Sequence, residues 1–332
     1  MSCLFEHSSI TAALALAVSD LYKYHCRPRI RPDLTQRTAM QPTHILLALL
    51  TVTIWGLNFV VIKIGLAGLP PLLFSALRFV FAALPLVFFI KRPAIHWRYL
   101  IGFGLFQFAL QFSLLFSGMQ LGIGAGLASL VIQLQAFFTI GLAVLLLGER
   151  PLVTQLLGAL VALAGIVLVA AHLEAKATVI GFLLVIGAGL SWASANIVTK
   201  KIGKVNPLAL MAWGSLIASP PLLLASAVFE GPAAWHNAFT HFGWISVAAV
   251  FYQSYPNTIV GYGIWTILMR KYPAATVAPF SLLVPLVGML SAAIVLNESL
   301  EWWKIVAGLL VLGGLALNLF GGRLMLALKA RA

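Results

Sequence analysis

WGLNFVVIKIG, residues Trp55 to Gly65, returns in altered form as WASANIVTKKIG, residues Trp192 to Gly203. In each copy a tryptophan precedes an asparagine by three or four residues, Trp55 before Asn58 and Trp192 before Asn196. That spacing sets both side chains on one face of a helix. A lysine follows each asparagine by five residues, at Lys63 and Lys201, and a glycine comes two residues after that. One repeat unit is used twice, and a polar motif set inside apolar sequence points to a site carried within a membrane.

The flanking sequence agrees. Hydrophobic residues make up 61% of the 332 and charged residues 9%, and the apolar residues come in blocks of membrane-spanning length. The class is an all-α polytopic membrane protein. On a soluble chain the net charge of +13 would suggest nucleic acid, but here the basic residues mark sidedness and no nucleic-acid role is assigned. Both cysteines, Cys3 and Cys26, precede residue 40, so the membrane body has no thiol, disulfide or cysteine metal site.

Residues 1–39 differ from the rest. They are polar and basic, with one short apolar run from Ile10 to Val18 that is too short to span. The expectation is a poorly ordered extension or a misplaced start, with Met40 as the natural one. The rival is an amphipathic arm lying on anionic lipid.

Ten spans follow, at about 45–66, 71–90, 99–120, 122–147, 152–171, 178–199, 207–229, 243–268, 273–296 and 303–322. With the N-terminus inside, Lys91, Arg92, Arg98, Arg150, Lys200, Lys201, Lys204, Arg270, Lys271, Arg323, Lys329 and Arg331 all fall on the cytoplasmic side, and both termini with them. Pro71 and Pro85 match Pro207 and Pro221 at an offset of 136, while Glu149 and Gly165 match Glu298 and Gly314 at 149. Five spans per unit is an odd number, so the second unit is inserted upside down relative to the first.

Polar residues within the spans are the candidate solute contacts. Gln107 and Gln111 share a face of span three with Gly104 and Gly118, and Gln135 aligns with Thr139 in span four. Tyr252, Tyr255, Thr258 and Tyr262 form a stripe on span eight, interrupted by Pro256. Ser281 lies between Pro279 and Pro285 in span nine, a candidate broken helix. Arg78, well inside span two, is a candidate for a substrate carboxylate, with Lys63 as a second positive charge. Against these stands the plainer reading that glutamines and threonines are interhelical glue and that Arg78 pins a neighbouring helix. His236 and His241 fall with Glu230 in an outer loop after span seven, without further ligands at metal-like spacing. None of the eight acids lies mid-span, so a proton relay has no obvious residue, although coupling through Glu149 or Glu298 at span ends stays open.

WGLNFVVIKIGL, the span-four segment GAGLASLVIQLQAFFTIGLAVLLLGER and the segment IVGYGIWTILMRKYPAATVAPFSLLVPLVG with its closing NESL resemble the EamA family of the drug/metabolite transporter superfamily. The resemblance runs from Met40 to about Arg323, and the extension before it departs from the family pattern. It implies two inverted five-helix repeats, 40–175 and 176–332, in a bacterial inner-membrane exporter of small metabolites without a cofactor, amino acids of the cysteine pathway leading. Aromatic amino acids, purines or cationic drugs are the alternative solutes. A membrane enzyme is the rival class, and no Ser/His pair, Cys/His pair or metal-binding carboxylate pair supports it.

Overall fold

The computed structural model describes residues 40–148, 151–172, 176–203, 205–272 and 277–329. The extension before Met40, together with Glu149, Arg150, Glu174 and Lys204, lies outside the described residues. Ten helical segments occupy the ten expected spans. They are α1 (Pro42–Gly65), α2 (Pro71–Val87), α3 (Trp97–Gln120), α4 (Ala125–Leu147), α5 (Val153–Ala171), α6 (Lys176–Ile202), α7 (Pro207–Ala225), α8 (244–271), α9 (Ala278–Leu282 running into Leu283–Leu296) and α10 (Trp302–Lys329). Seven of these, α1, α3 to α7 and α10, are long and apolar enough to cross a bilayer unaided; α2 and α9 are shorter apolar helices. The chain is a multi-pass membrane protein.

Local chemistry sets the helix ends. Pro42, Pro71 and Pro207 each open a helix, where a missing N–H costs nothing. Asn206 Oδ1 caps α7 by accepting from the N–H groups of Leu208 at 3.0 Å and Ala209 at 3.4 Å. α4 stops at Gly148 with φ 67° and α9 at Asn297 with φ 53°, both left-handed. These two stops are separated by the same 149 residues as Gly165 and Gly314, so the repeat extends to backbone conformation.

Each half lends one helix to the other. α3 packs on α6 and α7 of the second half, with Ser191 Oγ donating to the Phe106 carbonyl at 2.7 Å. α8 packs on α1 and α2 of the first half, with Tyr252 Oη donating to the Ile54 carbonyl at 2.8 Å and Ser254 Oγ to the Arg78 carbonyl at 3.0 Å. Both lent helices contain π-helical stretches, Leu105–Leu110 and Gln253–Gly261, the second built around Pro256, which has no N–H to give. α5 and α10 pair across Gly158 and Gly314, where an added Cβ would strike the opposing backbone. Leu156, Leu160 and Leu163 of α5 and Leu309 of α10 point outward, as lipid tails require.

One connection differs from expectation. After α7 a π-helical turn, Ser226–Glu230, leads into a further helix, Gly231–Thr240, so His236 lies within a helix and His241 at its end, and neither sits in an open loop. Gly231 at φ 78° breaks the direction and Pro232 restarts it. This helix belongs to the second half alone and takes up the change of repeat offset from 136 to 149.

Candidate functional site

Arg78 is fully enclosed where α2 meets α8. Its guanidinium lies over the Phe112 ring, 3.9 Å from the centroid, and 4.9 Å from that of Phe79. Nε and Nη2 both donate to Thr258 Oγ1, each at 3.2 Å. The Thr258 hydroxyl donates in turn to the Gln253 carbonyl at 2.8 Å, which turns its lone pairs toward the arginine. Nη1 has no partner. Among the described residues no carboxylate pairs with this guanidinium, so a full positive charge lies in the bundle interior.

Three buried amides lie where α1 meets α8. Gln253 Nε2 donates to the Asn58 backbone carbonyl at 3.5 Å, and the Asn257 backbone carbonyl accepts from Trp55 Nε1 at 3.3 Å. Asn58 Oδ1, Gln253 Oε1 and Asn257 Oδ1 have no donor. Trp55 also packs on Tyr262 and Trp265, with ring centroids 5.1 and 5.2 Å away, forming an aromatic wall next to the amides. Gln253 and Asn257 were not singled out from sequence. The run QSYPNT from Gln253 to Thr258 carries four polar residues in an apolar span, and that density was the available signal.

The other candidates divide. Gln135 and Asn196 meet, but they close on each other: Asn196 Nδ2 donates to Gln135 Oε1 and to Thr139 Oγ1, both at 3.0 Å, joining α6 to α4. Gln107 Nε2 donates to Gln111 Oε1 at 3.1 Å within α3. Lys63 Nζ donates to the Met119 carbonyl at 3.0 Å, so its charge sits on the C-terminal end of α3 and not beside Arg78. Trp192 is half-buried at the edge of the core. Tyr255 packs at a tilt against Phe251, itself 56% exposed, while Tyr262 turns to Trp55. The expected tyrosine stripe therefore splits, because a π-helix rotates successive side chains out of α-helical register. Ser281 is half-buried in the 3₁₀ turn Ala278–Leu282.

The two ends of the bundle are held differently. At one end the Glu298 carboxylate accepts from the N–H groups of Ala125 at 2.6 Å and Gly126 at 3.2 Å, and Ser129 Oγ approaches the Pro285 carbonyl at 3.5 Å, so α9 is clamped to the start of α4. At that same end Glu230 accepts from Leu72 at 2.6 Å and Leu73 at 3.0 Å, tying α7 to the start of α2. Toward the other end α4 leans on α6, and a crevice lined by Thr139, Ile140, Ala143, Val144, Pro151, Gln155 and Lys200 opens beside it.

Two inverted five-helix halves enclosing a buried, charged polar layer define a polytopic membrane carrier. The chain belongs to the EamA-like transporter family, whose profile matches residues 42–171 and 179–320. It is 42% identical over 283 residues to a "Probable amino-acid metabolite efflux pump" of Salmonella typhimurium (strain LT2), covering 83% of this chain and 95% of that one. It is likewise 42% identical over 289 residues to a protein of the same description from Escherichia coli (strain K12), covering 85% and 97%. A solved crystal structure with 20% identity superposes with a TM-score of 0.60 over 86% of this chain and 99% of that one, a likeness of fold.

Proposed function

We propose that this protein is a bacterial inner-membrane exporter of small amino-acid metabolites, with O-acetylserine and cysteine as the leading solutes and both termini in the cytoplasm. The observation that carries the reading is Arg78, a wholly buried guanidinium with Nη1 unpaired and, among the described residues, no acid to balance it. A planar fork of this kind suits a carboxylate. The names of the two 42% relatives support an amino-acid metabolite as the source of that carboxylate. Transport proceeds by alternating access: the halves rock about the buried layer, and the clamp at Glu298 together with the crevice at Thr139 supports a state closed outside and accessible inside.

A second reading, export of aromatic or heterocyclic solutes, is favoured by the wall of Trp55, Tyr262 and Trp265 next to the polar layer. Metabolite profiling of the medium separates the two. Cells overexpressing the protein should accumulate O-acetylserine and cysteine outside relative to cells lacking it. Accumulation of aromatic amino acids or purines instead would support the second reading, and an unchanged medium would oppose both.

A further inference from the structure

Asn58, Gln253 and Asn257 raise a question that the carboxylate reading of Arg78 leaves open. Their side chains are 6%, 0% and 3% exposed, and each presents an amide oxygen without a donor. A buried acceptor left unpaired is costly, and native interiors rarely tolerate several in one place. Gln253 and Asn257 lie on α8, and Asn58 lies on α1 against them, its backbone carbonyl accepting from Gln253 Nε2. Gln253 turns its amide to α1 and, four residues on, the Asn257 backbone carbonyl meets Trp55 of α1, while Ser254 and Thr258, each the next residue, bond the carbonyl and the guanidinium of Arg78. The two amide residues of α8 are thus each next in sequence to a residue that bonds Arg78.

Resting on the carboxylate reading, we propose that Oδ1 of Asn58, Oε1 of Gln253 and Oδ1 of Asn257 receive the α-ammonium group of the substrate, so that with Arg78 they form a site for an α-amino acid zwitterion. Three acceptors match the three N–H donors of an ammonium group. The site favours the zwitterion over either half of it. An amine without a carboxylate would sit beside an unbalanced guanidinium, and an acid with a blocked amine would leave the oxygens unpaired. Among the described residues the repeat-related positions make no counterpart: Asn196 is bonded to Gln135 and Thr139, and the position matching Arg78 is Gly214, where an added Cβ would press on Phe103 and Phe108.

The test is counterflow of radiolabelled L-cysteine in proteoliposomes of the full chain under reducing conditions, competed by L-cysteine, N-acetyl-L-cysteine and cysteamine. L-cysteine should compete, and both analogues should be weaker by at least ~10-fold. In Asn257→Leu or Gln253→Met the gap between cysteine and N-acetylcysteine should narrow about tenfold. Equal competition by N-acetylcysteine in the unmodified protein overturns the ammonium site while leaving export intact. So does an unchanged ratio in variants that reach the membrane in normal amount. If the unmodified protein moves no cysteine, the amino-acid reading fails and this site fails with it.

Discussion

An arginine at the centre of a span costs about 2.5–3.5 kcal/mol on insertion scales, and Arg78 recovers part of that through Phe112 and Thr258. A role confined to packing is met by those contacts, whereas a binding role needs the unpaired Nη1. Arg78→Lys and Arg78→Gln separate the two. Both variants should reach the membrane in normal amount; Gln should abolish export, and Lys should keep part of it with a raised apparent KM. If both fall in abundance and the remainder exports normally per molecule, Arg78 is structural. Arg78 was legible in sequence because one basic residue in an apolar run is conspicuous. Gln253 and Asn257 were not, because whether a buried amide is paired depends on what another helix places against it. The same limit explains Lys63 and Asn196, whose types suggested a ligand and whose neighbours turned out to be a helix end and another amide.

Helix ends were largely readable, since Pro at a first turn and Gly or Asn at a left-handed stop act locally. The π-helical stretches of α3 and α8 were not, because their register is set by packing across the two halves; this is why the α-helical stripe through Tyr255 failed. The clamp formed by Glu298 on the start of α4 carries a prediction at this scale. An anion on a helix N-terminus contributes roughly 0.3–2 kcal/mol, so Glu298→Gln should weaken the closed end and raise its opening by up to about thirtyfold. Ser129, fully buried between α4 and α9, reports on that opening. With Cys3 and Cys26 replaced, Ser129→Cys should react faster with an impermeant maleimide applied outside when Glu298→Gln is also present. An unchanged rate would show that the carboxylate does not hold that end shut.

At the scale of the molecule, the inverted repeat was visible in two residue offsets, and the helix Gly231–Thr240 is the piece that sequence pattern read as a loop. A reporter fused after Ala332 should register cytoplasm, and a tag placed between Thr240 and Trp244 should be reached from outside; a cytoplasmic tag would break the inverted arrangement. The isolation of Arg78 from any acid has an electrical consequence. Glu230, Glu298 and Glu301, the acids among the described residues, all lie at helix ends, so among the described residues no carboxylate lies mid-helix to carry a proton with the cargo. A zwitterion adds no net charge on crossing. Moving one charge through 100 mV changes the energy by about 2.3 kcal/mol, yet here the resting voltage should neither drive nor oppose flux. Proteoliposomes clamped with potassium and valinomycin at zero and at 100 mV should therefore release cysteine at the same initial rate, and a voltage-dependent rate would mean that a charge travels with it.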